Sequence, residues 1–204
     1  MISYDYENEA RRDGFSVVAG VDEAGRGPLA GDVYAGAVIL PDGFDVSELN
    51  DSKKLSAKKR EKLYEKLTGD SAVIWAVGTA TVQEIDEINI LNAAFLAMKR
   101  AVDGLSVSPD LLLVDGNKAP QTGYPERTII KGDALSYSIA AASIIAKVAR
   151  DRYMARLAEE YPQYLFEKHK GYGTKLHYDM LLEHGVSPVH RKTFLKNLSE
   201  KHHG

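Results

Sequence analysis

Four carboxylates are the residues of this chain best suited to chemistry, because their neighbours place them at the ends of structural elements. Asp22 and Glu23 close a Val-rich run and are followed at once by a glycine-rich turn, Ala24-Gly25-Arg26-Gly27-Pro28. Asp115 ends an apolar run and precedes Gly116, and Asp133 follows Lys131-Gly132 at the start of a long segment rich in small residues. Acids at strand ends and a helix start can converge at one edge of a sheet. Hard cations such as Mg²⁺ take carboxylate, water and phosphate oxygens, and two ions roughly 3.5–4 Å apart can activate a water and stabilise the leaving oxygen of a phosphodiester. Each acid also has a plainer reading. Asp133 suits a helix N-cap, Asp115-Gly116 a turn, and Asp22 and Glu23 an exposed strand end. Neighbours on a regular strand point to opposite faces, so Asp22 and Glu23 are expected to share a site only if the strand bends or ends between them.

The elements that must position these acids follow from hydrophobic pattern. Residues 16–22, 33–40 and 72–80 read as strands of an antiparallel meander, with a helix near 56–67 between the second and third. Thr81-Val82-Gln83-Glu84 has capping-box spacing, and Ile85, Ile88, Leu91, Phe95, Met98 and Val102 then recur at helical spacing up to Gly104. Residues 110–115 hold a continuous apolar run, Leu111–Val114, between two aspartates, as in a strand buried on both faces. A short strand at 127–131, a long helix at 134–153 and a helix at about 174–184 complete the chain. This order specifies an α/β domain with a mixed sheet.

Composition bounds the chemistry further. The chain has 204 residues and no cysteine, which excludes a disulfide framework, a thiolate metal site and a cysteine nucleophile. The net charge of −3 argues against a globally basic nucleic-acid binder, but the distribution is uneven. Residues 51–70 and 161–204 each carry seven Lys/Arg against four Asp/Glu, whereas residues 1–50 carry three against ten. A polyanion would be drawn to those two regions. No apolar run is long enough to span a bilayer, the first residues do not resemble a secretory signal, and a cytoplasmic monomer is expected. The histidines His169, His177, His184 and His190 read as structural or surface residues, not metal ligands.

Together the segments AGVDEAGRGPLAG (19–31), DSKKL (51–55), IDEINILNAAFLAMKR (85–100), LVDG (113–116), KGDALSYSIAAASIIAKVARD (131–151) and HKGYGT (169–174) resemble type 2 ribonuclease H, the bacterial ribonuclease HII family. The resemblance implies a single ribonuclease H-like domain over 1–204, with a mixed five-stranded sheet flanked by helices. The catalytic core would span about 14–155 and a C-terminal helical extension about 156–198. It implies a metal-dependent endoribonuclease that cuts 5′ of a ribonucleotide, in RNA–DNA hybrids or in duplex DNA with embedded ribonucleotides. The products carry 3′-hydroxyl and 5′-phosphate ends, and the tasks are removal of misincorporated ribonucleotides and RNA primers. By the same resemblance Asp22, Glu23, Asp115 and Asp133 bind two Mg²⁺ or Mn²⁺ ions, while Gly25, Arg26, Gly27 and Tyr172 recognise the ribonucleotide. A 2′-hydroxyl both donates and accepts hydrogen bonds, and a glycine backbone can reach it unobstructed. Lys53, Lys54, Arg191 and Lys192 are expected phosphate contacts, adding affinity without sequence preference.

Two positions depart from the family pattern. Leu135 stands where a basic residue is usual, so either activity is lower or Lys131 or Lys147 supplies the missing charge. The 163–165 segment, Gln163-Tyr164-Leu165, lacks the glycines usual there. The alternatives are a non-catalytic hybrid-binding protein, favoured by Leu135, and another two-metal nuclease of the same fold.

Overall fold

The computed structural model describes residues 2–49 and 55–196; the expected phosphate contacts Lys53 and Lys54 fall outside them. In chain order the main elements are α1 (Asp5–Arg12), β1 (Val18–Ala24), β2 (Val33–Ile39), α2 (Ala57–Gly69), β3 (Ile74–Ala80), α3 (Val82–Asp103), β4 (Leu111–Asp115), β5 (Glu126–Ile129), α4 (Tyr137–Glu160), α5 (Phe166–His169) and α6 (Lys175–His184). The five strands form one mixed sheet in the order β3-β2-β1-β4-β5. The first three strands are antiparallel, and β4 and β5 add in parallel, as the meander and the continuously apolar fourth run require.

Each face of the sheet is covered by one long helix. On one side Ala93, Ala97, Met98 and Ala101 of α3 pack on Ala19, Val21, Ala35 and Ala37. On the other, Ile139 of α4 packs with Leu113, and Ala141, Ala142 and Ile145 pack with Val38 and with Leu63 and Leu67 of α2. The second contact is unusually close because the sheet presents glycines there. A Cβ on Gly20 would lie 2.1 Å from the backbone of Ser138, and one on Gly36 2.4 Å from the carbonyl of Ala142. The small residues of α4 and these two glycines therefore let backbone meet backbone.

The helix boundaries revise the sequence-based expectation in three places, one of them that α4 runs on to Glu160, past the expected end at 153. α4 begins at Tyr137, not 134, because Ser136 takes the N-cap and accepts from Ile139 N. Asp133 instead lies in a short 3₁₀ turn, Gly132–Ala134, ahead of it. Glu7 of α1 secures this junction by accepting from Ser136 Oγ at 2.6 Å and Ser138 N at 2.9 Å. α3 carries the expected capping box at Thr81 and Glu84 but breaks at Asn89 (φ 67, ψ 163). The Asn89 side chain recaps the helix through Leu91 N and Asn92 N. The break rotates the apolar face, so Ile88 is exposed and Ala93, Ala94 and Ala97 are buried in its place.

The segment after α4 builds a third apolar cluster. Tyr164, Phe166, Leu181 and Leu195 pack with Met154 and Leu157 at the end of α4 and with Leu29 and Ala30. Asp86 of α3 ties it down from the other side, accepting from Lys192 N and from Thr193 N and Oγ1.

Because Gly36 faces helix backbone that cannot swing away, Gly36→Ala should destabilise the protein by about 2–3 kcal/mol, the upper part of the range for overpacking. Thermal unfolding checks this, and an unchanged midpoint would contradict the close packing described.

Candidate active site

β1 carries Asp22 and Glu23 to the edge where β4 stops. The strand does not end between them: pairing with β2 continues through Asp22–Gly36 and Glu23–Ala35 to Ala24–Tyr34. The expectation that the strand ends between the two acids is therefore corrected. What brings the two acids to one place is the neighbouring strand. Parallel pairing with β4 extends only to Val21–Val114, so the next residues of both strands flank a notch open to both faces of the sheet. Asp22 lies on the α4 side, next to Lys147 and Ser143. Glu23 lies on the α3 side, in a cavity of about 140 Å³ shared with Arg26, Leu91, Phe95, Asp115 and Lys118.

Asp115 and Asp133 reach the same notch from the other direction. Asp115 Oδ1 accepts from Gly132 N at 2.6 Å, which draws the 3₁₀ turn carrying Asp133 against the end of β4. Asp133 is 1% exposed, and Lys147 Nζ stands 3.9 Å from its Oδ2. Lys147 is one helical turn beyond Ser143, to which it donates, and its charge also acts on Asp22. Leu135 points elsewhere, into the apolar cluster with Val18, Ile129 and Ile139. The cation near the acids is thus delivered by α4.

The electrostatics record how closely the acids are gathered. Burial, then the charges of Glu23 and Asp115, push the Asp22 carboxyl well above its ordinary range, against the pull of Lys147 and Ser143. Glu23 is raised by burial, partly offset by Arg26, whose Nη1 is 3.3 Å from Oε1, and raised again by Asp115. Crowded oxygen donors that repel one another suit a hard divalent cation, whose charge relieves the repulsion. Among the described residues no three acidic or histidine side chains already close around one ion-sized point. Mg²⁺ keeps waters and substrate oxygens in its shell, so its protein ligands need not close it.

The glycine turn follows directly. Gly25 has φ +94°, and a Cβ there would strike Arg150 Nε at 2.1 Å, so both conformation and space demand glycine. A Cβ on Gly27 would lie 3.5 Å from Tyr172 Cε1, which puts the tyrosine ring beside the turn. Arg26 and the half-exposed Tyr172 face solvent. Tyr172 is held through its backbone: its N–H donates to His169 O, and its carbonyl takes a hydrogen bond from His177 Nδ1 at 3.0 Å. That bond requires a proton on Nδ1, so His177 Nε2 accepts from His190 Nε2 at 3.0 Å, and His190 Nδ1 accepts from Ser187 N. Burial pushes His177 and His190 down to about 4, which keeps this relay neutral.

Arg191 is not the phosphate contact expected of it. It is fully buried, and its guanidinium donates to the carbonyls of Gly25, Arg26 and Gly31. Lys192 beside it is exposed. Arg150, 3% exposed, was missed by sequence reasoning. It donates to the carbonyls of Ala30, Asp32 and Lys170 and lies 6.0 Å from the Tyr172 ring centroid. Its spacing three residues beyond Lys147 on α4 was the available signal, but a helical arginine by itself reads as a surface residue.

The raised Asp22 yields a stability test. A carboxyl whose folded value exceeds the unfolded one costs stability when ionised, and that cost fades as pH falls through the raised value towards the ordinary 3.8. In a chelator at pH 7, Asp22→Asn should therefore raise the unfolding midpoint by about 2 °C or more, the response of a domain this size to ~1 kcal/mol. The gain should vanish towards pH 4. A variant less stable than the wild type at pH 7 would show that the acids are not crowded.

The ribonuclease HII family model matches residues 19–197. The ribonuclease HII of Caldicellulosiruptor bescii is 51% identical over 195 residues, 96% of this chain and 94% of that protein. The ribonuclease HII of Shewanella pealeana is 58% identical over 176 residues, 86% of each chain. The crystal structure of ribonuclease H2 from Pyrococcus horikoshii OT3 superposes with a TM-score of 0.73 at 28% identity, covering 91% of this chain and 98% of that one. The carboxylate notch and glycine turn thus sit within a sequence match that runs almost end to end, and this chain belongs to the ribonuclease HII family.

Proposed function

We propose that this member of a family of metal-dependent endoribonucleases cuts the phosphodiester on the 5′ side of a ribonucleotide, in an RNA–DNA hybrid or in duplex DNA with an embedded ribonucleotide. The bond between phosphorus and the 3′ oxygen of the preceding nucleotide breaks, leaving a 3′-hydroxyl there and a 5′-phosphate on the ribonucleotide. Removal of misincorporated ribonucleotides and RNA primers is the corresponding task. The observation that carries this reading is the crowding of Asp22, Glu23 and Asp115 immediately before a turn whose glycine is compelled by its backbone.

Asp22, Glu23, Asp115 and Asp133 would hold two Mg²⁺ or Mn²⁺ ions. Ions so held supply a nucleophilic water at neutral pH and charge stabilisation for the leaving oxygen. The other residues position the substrate. The backbone of Gly25 and Gly27 meets the 2′-hydroxyl, the Tyr172 phenol and ring meet the ribose from the other side, and Arg26 contacts a phosphate. Lys147 supplies the positive charge beside Asp133 that Leu135 does not, which weighs against a non-catalytic protein. Lys192, Lys53 and Lys54 add phosphate contacts along the duplex. A core of about 14–155 and a helical extension of about 156–198 belong to the same reading. It is supported by the separate apolar cluster that the extension forms against Leu29 and Ala30.

With Mg²⁺ or Mn²⁺, the protein should nick a DNA duplex containing one ribonucleotide on its 5′ side and leave an all-DNA duplex intact. Absence of nicking by folded protein with either metal would reject the proposal, and cleavage indifferent to the 2′-hydroxyl would favour another two-metal nuclease. Asp22→Asn should lose at least about a thousandfold in rate while keeping much of its duplex binding. Tyr172→Phe, which removes one hydrogen bond near a charged centre, should slow cleavage about tenfold or more. Single-turnover kinetics distinguish these outcomes.

A further inference from the structure

We propose that Arg191 is a positioning residue for ribonucleotide recognition, its guanidinium holding the Gly25-Arg26-Gly27 turn in shape from behind and polarising the turn's amides. The inference rests on the reading of that turn as the sensor of the 2′-hydroxyl. Arg191 is 0% exposed, the largest of the fully buried side chains. Its Nη2 donates to Gly25 O at 2.6 Å and Gly31 O at 2.7 Å, its Nη1 to Arg26 O at 3.0 Å, and its Nε to Gly31 O at 2.9 Å. Of these four hydrogen bonds, two end on the turn itself, at the carbonyls of Gly25 and Arg26, and two on Gly31, a few residues beyond it. Burying a cation is costly unless its hydrogen bonds are met, and here they are met by main-chain carbonyls. A buried guanidinium that grips both the Gly25 and the Arg26 carbonyl, and braces them against Gly31, points to a role in what that turn does.

The chemistry follows from the peptide unit. The Gly25 carbonyl shares its peptide group with Arg26 N–H, and the Arg26 carbonyl with Gly27 N–H. A charge-assisted bond to each carbonyl draws electron density from the group and makes its N–H a stronger donor. It also fixes the plane of each peptide, and so the direction in which the amide points. The turn is held at its other end by Arg150, through Ala30 O and Asp32 O. Arg191 N donates to Leu29 O, which ties the backbone of the arginine to the segment that follows the turn. Lysine offers charge without the planar fork and cannot hold three carbonyls in these directions.

The test compares wild type with Arg191→Lys for binding, without divalent metal, to two duplexes identical except for a single ribonucleotide. Circular dichroism and the unfolding midpoint serve as folding controls. The expected result is a folded R191K that loses about tenfold or more of the preference for the ribonucleotide duplex while binding the all-DNA duplex within about twofold of wild type. A role in stability alone would lower the midpoint and leave the preference of folded protein unchanged, and that outcome overturns the proposal. A wild type that binds both duplexes alike overturns the reading of the turn itself. If R191K does not fold, NMR of the wild type decides. The ribonucleotide duplex should shift the Arg191 Nε–H resonance more than the all-DNA duplex does; equal shifts overturn the proposal.

Discussion

The contact on which the molecule depends is the approach of α4 to the backbone of β1 and β2 over Gly20 and Gly36. No side chain separates helix from sheet there, so the position of α4 is set by backbone contact. Several groups the site needs from outside β1 are then delivered along one helix. Ser136 and the turn ahead of it present Asp133, Ser143 and Lys147 stand beside Asp22, and Arg150 reaches the glycine turn. A methyl group on either glycine would push this whole series away from the acids at once.

The site combines two electrostatic problems and solves them in opposite ways. At the notch, carboxylates are crowded until their charges oppose each other, an arrangement that is costly without a cation and suited to binding one. Behind the turn, Arg150 and Arg191 are buried cations whose hydrogen bonds go to main-chain carbonyls. There the backbone dipoles are the counter-charge, and the benefit is a rigid turn. The neutral histidine relay from Ser187 through His190 and His177 to Tyr172 extends this logic to the opposite wall. Both walls of the proposed recognition site are thus set by side chains of α4 and of the segment following it.

Much of this was legible before any fold was known. Val-rich and apolar runs marked the five strands, the Thr81–Glu84 box marked α3, and the acids were recognisable because apolar segments end on them. The errors share a cause, which is that local pattern competed with a tertiary or side-chain preference. The helical periodicity through Ile88 was overruled by Asn89, whose side chain recaps the helix. Asp133 lost the N-cap of α4 to Ser136, which Glu7 from α1 holds in place. Arg191 in a basic tail read as a phosphate contact, since nothing in its neighbours reports that it lies under a turn more than a hundred residues away.

The sequence by itself determined which groups are available: oxygen ligands with no thiols, glycines where backbone must come close, and the order of strands and helices. These depend on residue type and short-range spacing, which a chain displays directly. Only the tertiary structure decided which groups meet. Asp22 and Glu23 flank one notch because β4 stops pairing beside them, not because β1 ends between them, and Arg191 faces inward because the last segment folds back over Leu29–Gly31. Both outcomes are set by where a distant element ends or crosses, and that is a property of packing between segments, absent from either segment alone.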